Sequence, residues 1–116
     1  MVKTAGADLS AKRGFLAKLN GNGAAVLTGA GNLALFIVDD PCPGTSGANV
    51  TLLPLDTSRN ARAVAAEVIS AAAELQSDGN GKLVAASSGS FVVGIAEEAM
   101  VANQLGLFRP VVYIKG

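Results

Sequence analysis

Few residues in this 116-residue chain have the types and spacing to do chemistry. The carboxylates come as neighbours, Asp39–Asp40 and Glu97–Glu98. Adjacent residues on a strand point to opposite faces. Neither pair can therefore work as general acid and base unless the fold brings the two pairs together. As solvation of strand ends and protection of an edge they need no further role. Histidine is absent, which excludes imidazole triads, Cys-His pairs and imidazole metal ligands. Cys42 stands between Pro41 and Pro43 without a nearby base and reads as an incidental loop thiol. "GNG" occurs at 21–23 and 79–81. The first copy lacks the glycine spacing and following helix of a dinucleotide fingerprint. The second lacks the leading glycine and the Ser/Thr of a phosphate loop. Both read as hairpin turns. "NVT" at 49–51 matches a glycosylation acceptor, but no secretion signal accompanies it. The residues thus lead us to expect no enzyme, no cofactor and no metal.

The bulk composition narrows the class further. Half of the residues are apolar, yet aromatics make up only 4% and tryptophan is absent, so the core must use small aliphatic side chains. Nine basic residues balance nine acidic ones, which argues against nucleic acid as a partner. The apolar runs fall far short of the ~20 residues that span a bilayer. No N-terminal stretch has signal-peptide character, so synthesis in a cytoplasm is expected. A weakly charged, Ala- and Gly-rich surface is poorly protected against association and suits a protein covered by partners.

The elements that must carry these residues repeat. "NGNGAAVLTGAGNLALFIVDD" at 20–40 aligns without a gap on "DGNGKLVAASSGSFVVGIAEE" at 78–98, an offset of 58. Gly21, Asn22, Gly23, Val26, Gly31 and Ile37 recur, and Asp39–Asp40 falls on Glu97–Glu98. Each copy runs turn, strand, Gly turn, apolar strand, acidic pair, connector, strand. Short strands between Gly turns every 8–12 residues mark an all-β barrel or sandwich. We expect two similar halves, a pseudo-repeat of 20–56 and 78–114, packed about an approximate two-fold. Asn22 and Asn80 should occupy equivalent turns, and the strands ending at Asp40 and Glu98 should correspond. Pro54 should sit on an edge or at a strand end, and Gly94 at a bulge or a point of close packing. The Ala-rich segment 61–76 stays open, with a short helix near 61–75 slightly ahead of a strand. Residues 1–13 show no periodicity and read as a weakly ordered N-terminal arm before a single β-rich domain, 14–116. Lys3, Lys12, Arg13 and Lys18 either steer that arm toward an acidic partner or only solvate it.

The run "VISAAAELQSDGNGKLVAASSGSFVVGIAEEA" resembles the C-terminal half of tailed-phage capsid decoration, or cement, proteins. "ADLSAKRGFLAKLNGNGAAVL" and "LALFIVDDPCPGTSGANVTLLPL" resemble their first half. Similarity to the lambdoid head-decoration proteins is looser. Where the family commonly places Gly in a turn, this chain has Ala71-Ala72-Ala73. The resemblance implies a mainly β, clip- or tulip-like domain with an arm that orders on binding. It also implies a capsid-stabilising function on the outer surface of an expanded head, where the protein bridges neighbouring major capsid proteins in the virion. The partners would be the major capsid protein and further copies of the chain, as a trimer first and a dimer second. For capsid contact we single out Val2, Lys3, Thr4, Ala5, Asp8 and Leu9. For self-association we single out Met100, Leu105, Leu107 and Phe108. A small β-barrel module recognising carbohydrate is the alternative, although such modules present aromatic platforms and this chain has few aromatics to offer.

Overall fold

The computed structural model describes residues 1–116 and contains strands without helices. The first half holds β1 (Val2–Thr4), β2 (Leu16–Leu19), β3 (Ala25–Leu27), β4 (Phe36–Asp40) and β5 (Asn49–Pro54). The second holds β6 (Ala61–Val64), β7 (Glu74–Ser77), β8 (Leu83–Ala85), β9 (Phe91–Ala96) and β10 (Leu105–Ile114). Each half forms one antiparallel sheet, ordered β1-β5-β4-β2-β3 and β6-β10-β9-β7-β8. The two orders are the same when five is added to each strand number. Each sheet also begins to close on itself. A parallel bridge joins Ala5 to Ala25 across the two edges of the first sheet, and another joins Ala65 to Leu83 across those of the second. Closure of this kind hides edge strands. The halves are therefore two small, partly closed barrels.

The turns explain why one pattern is written twice. Asn20 Oδ1 accepts the N–H groups of Asn22 and Ala24, at 2.9 and 3.0 Å. Asp78 Oδ1 accepts those of Asn80 and Lys82, at 2.8 and 2.9 Å. Gly23 and Gly81 close the two loops at φ +77° and +78°, a region where glycine carries no steric penalty. Asn22 and Asn80 do occupy equivalent turns. The apolar pairs repeat as well. Ala5, Leu9, Ala17, Ala25, Val38 and Leu52 fill the first core, and Ala65, Ile69, Leu75, Leu83, Ala96 and Phe108 take the matching places in the second. Pro54 ends β5 opposite Phe36, and Pro110 lies opposite Gly94. Past Pro110 the register of β10 shifts.

Three expectations are corrected. Segment 61–76 contains no helix. Val64, Ala63, Arg62 and Ala61 pair with Leu105–Phe108 of β10, and Ala72 takes a turn conformation at φ +67°. Strand pairing and burial of Ala63 and Ala65 outweigh the helix propensity of the alanines. Residues 1–13 are not a free arm. β1 pairs with β5, and Ala5 and Leu9 are buried at 1% and 0% exposure. The second acidic pair lies just beyond β9, which ends at Ala96.

The symmetry expectation is also corrected. Leu16 N–H donates to Gly81 O at 2.6 Å, Gly31 N–H to Ser77 O at 2.9 Å and Val64 N–H to Gly14 O at 2.9 Å across the junction. A two-fold would require reciprocal bonds from Glu74 to Gly23 and from Gly89 to Leu19. Gly89 N–H instead donates to Lys115 O, and a Cβ on Gly23 would meet nothing within 4 Å. The halves therefore stack head to tail. The residues confirm the direction. Leu16, Ala34 and Ile37 of the first half join the core of the second, whereas the position matching Leu16 is the partly exposed Glu74.

Candidate interaction surfaces

The structure divides the proposed contact residues by burial. Along β1, Val2 and Thr4 are exposed and Lys3 is half-buried. Asp8 is exposed, and its carboxylate accepts the backbone N–H and hydroxyl of Ser10. These bonds hold the Asp8 pKa below its ordinary value. Ala5 and Leu9 belong to the first core and offer nothing to a partner. Among the self-contact residues, Leu105 is 52% exposed and Leu107 half-buried. Met100 and Phe108 are core residues, a correction with a clear packing reason. Met100 lies over the bare backbone of Gly106, where a Cβ would approach its Cγ to 2.6 Å. The Phe108 ring lies over Gly94. In a strand of alternating exposure such as β10, neighbours of one apolar run go to opposite fates.

The aromatics are likewise committed. Phe36 and Phe108 are buried. Lys12 and Lys82 stand over the Phe15 ring at 5.1 and 5.5 Å from its centroid, an arrangement favoured by the ring quadrupole. Tyr113 donates its hydroxyl hydrogen to Glu74, whose other carboxylate oxygen receives Lys115 Nζ at 2.6 Å. The bonds from Lys115 and then Tyr113 lower the Glu74 pKa, and the neighbouring carboxylate raises that of Tyr113. This trio ties the end of β10 to β7.

The acidic pairs stay apart in role. Asp40 caps the N–H of Cys42, and Glu97 meets Arg109 at 3.8 Å. No cluster of three or more Asp, Glu, Cys or His side chains has metal-binding spacing. What the fold does build is a concave strip at the junction of the two halves. Arg13, Gly14, Asp39, Leu53, Arg62 and Leu105 line one part, and it continues past Leu53 to Asp56, Arg59 and Asn60. Sequence reasoning missed this strip because its residues come from four separate stretches of chain, 13–14, 37–39, 53–62 and 105. It also missed Thr28 and Ser77, buried polar residues that meet at the same junction, with the Ser77 hydroxyl donating to Thr28 O at 3.1 Å.

The geometry defines a class of protein: a duplicated all-β domain of two partly closed five-stranded sheets, stacked head to tail. No family model and no curated protein matches the chain in sequence. Among solved structures, the chain is similar to the head fiber gp8.5 N base in bacteriophage phi29. The TM-score is 0.74 at 16% identity, covering 96% of this chain and 92% of that one. At that identity the likeness is one of fold.

Proposed function

We propose that this chain is a structural protein of a tailed-phage head. It decorates the outer surface of the expanded shell in the virion, bridges neighbouring major capsid proteins and stabilises the shell without catalysis. One observation carries the reading: nearly the whole chain shares its fold with nearly the whole base of a phage head fiber. The decoration-protein resemblance of the repeated turn-and-strand motif supports the same setting independently. Many copies, each burying modest area, add up through multivalency. Self-association, as a trimer first and a dimer second, places several head-binding surfaces in one particle.

The head-binding surface is assigned to β1 and the following turn: the exposed Val2, Thr4 and Asp8, with the half-buried Lys3 between the first two. Because Ala5 and Leu9 belong to the core, the test must change surface residues and leave the segment in place. Val2→Asp/Thr4→Arg keeps β1 paired through its backbone. Wild-type protein should co-sediment with emptied, expanded heads of its phage, and the double variant should lose that binding while retaining its melting temperature. Failure of the wild type to co-sediment would overturn the functional reading. Undiminished binding by the folded variant would overturn the surface assignment.

A further inference from the structure

Three of the four arginines, Arg13, Arg59 and Arg62, stand on the strip where the halves meet. None has a carboxylate within ion-pair distance, since the only ion pairs are Arg109–Glu97 and Lys115–Glu74. Two carboxylates share the strip. Asp56 is engaged by the N–H and hydroxyl of Ser58, and Asp39 is exposed. Three guanidinium groups against two carboxylates leave the strip positive. Its apolar floor is Leu53 and Leu105, 50% and 52% exposed. One wall is the outer edge of β6. Val64 N–H leaves the sheet to reach Gly14 O, and by the alternation of an antiparallel ladder Arg62 turns its backbone to the same side. Aliphatic contacts ringed by arginines suit a partner carrying aliphatic side chains and carboxylates.

The chain itself presents such a surface. Ile69 and Met100 exchange backbone hydrogen bonds of 3.1 and 2.8 Å, which zips the loop after β6 to the loop after β9. That register sets Val68 beside Val101, 77% and 54% exposed. Glu67 precedes Val68 in the chain and Glu98 stands three residues before Val101; both are exposed and unpaired. In the first half Leu9 N–H donates to Gly44 O as Ile69 N–H does to Met100 O, so the matching positions are Asp8 and Thr45. The fold therefore does not require an apolar pair there.

We propose that these two surfaces join copies of this chain. The Val68–Val101 knob of one copy seats on Leu53 and Leu105 of another, with its glutamates facing the arginines of the strip. This rests on the self-association included in the proposed function and names the contact that produces it. The test uses sedimentation velocity of the full chain near physiological salt, with Arg62→Glu on the strip and Glu98→Arg on the knob. Both positions are exposed, so circular dichroism and melting temperature should match wild type. Wild type should associate. Each variant alone should weaken association by about tenfold or more, because like charges then face each other. An equimolar mixture of the two variants should recover it, since an intact knob meets an intact strip and the reversed pair is again complementary. A single variant that associates as wild type does, or a mixture that stays dissociated, overturns the assignment. A wild-type chain that is monomeric yet binds expanded heads overturns it too, while leaving the head-binding function standing.

Discussion

Gly94 and Phe108 form a size exchange whose energetics can be worked from the structure. Gly94 lies in the interior of β9, and an added Cβ would stand 2.3 Å from Cδ2 of Phe108 and 3.0 Å from the carbonyl oxygen of Arg109. Phe108 is fully buried in the twelve-residue cluster of the second half, so its ring cannot swing into solvent. Forcing a methyl into such a site costs roughly 1–3 kcal/mol, and contact with backbone as well as ring puts Gly94→Ala at the upper end, about 3 kcal/mol. Phe108→Leu removes part of the ring and leaves a void; scaled from the ~3–5 kcal/mol of Phe→Ala, it should cost about 1–2 kcal/mol. The two changes compensate, because the methyl then enters the space that the ring has left. The first half shows this packing in place, with Phe36 and Leu52 at the positions matching Gly94 and Phe108. Gly94→Ala/Phe108→Leu should therefore be less destabilised than the sum of the singles by at least about 1 kcal/mol, near 4 °C in melting temperature for a domain of this size. Urea unfolding of the four proteins, read with unchanged slope, gives the coupling. Additive effects, or a Gly94→Ala variant within about 0.5 kcal/mol of wild type, would refute the reasoning.

Two further outcomes follow from the same repeat, and a third from the Tyr113–Glu74–Lys115 contact. Ala72 takes φ +67° where its counterpart in the first half is Gly14 at +82°. Relief of left-handed strain should let Ala72→Gly stabilise the chain by about 0.5–1 kcal/mol in urea unfolding, and a loss of stability would contradict this. Gly23→Ala and Gly81→Ala share the left-handed strain, but only at Gly81 does a Cβ approach Leu16 O, at 2.7 Å. Gly81→Ala should thus be the more damaging by about 1–2 kcal/mol, whereas equal effects would restore a symmetric junction. The third concerns pH. Because the pKa of Glu74 is lowered from 4.5, its contribution is present above the unfolded value and is lost as pH falls through the folded one. The advantage in melting temperature of wild type over Glu74→Gln should accordingly shrink on acidification below about pH 4.5. An advantage independent of pH would show that the Tyr113–Glu74–Lys115 contact works without charge.

The strands, turns and duplication were legible in the sequence by itself because their causes are local. An Asn or Asp that accepts two N–H groups of its own loop, with a glycine at positive φ three residues later, closes the same turn wherever it occurs. Alternation of apolar residues then assigns the faces. Only the tertiary structure decided which of those residues remain available. Met100 and Phe108 were as apolar as Leu105, but bare glycine backbones opposite them admitted their side chains to the core. Ala5 and Leu9 looked like part of an arm until β5 supplied hydrogen-bonding partners for β1. The alanines of 61–76 kept their helical propensity, yet Ala61 and Ala63 pair with β10 as a strand and Ala72 sits in a turn. The head-to-tail stacking was beyond a repeat's reach, because two copies related by any operator read alike in sequence. It is set by contacts that differ between them: Leu16 against Gly81 at the junction, Glu74 in the matching place at the far end. Long-range packing distinguishes positions that local chemistry makes equal, and so it places the arginine-lined strip where the two halves meet.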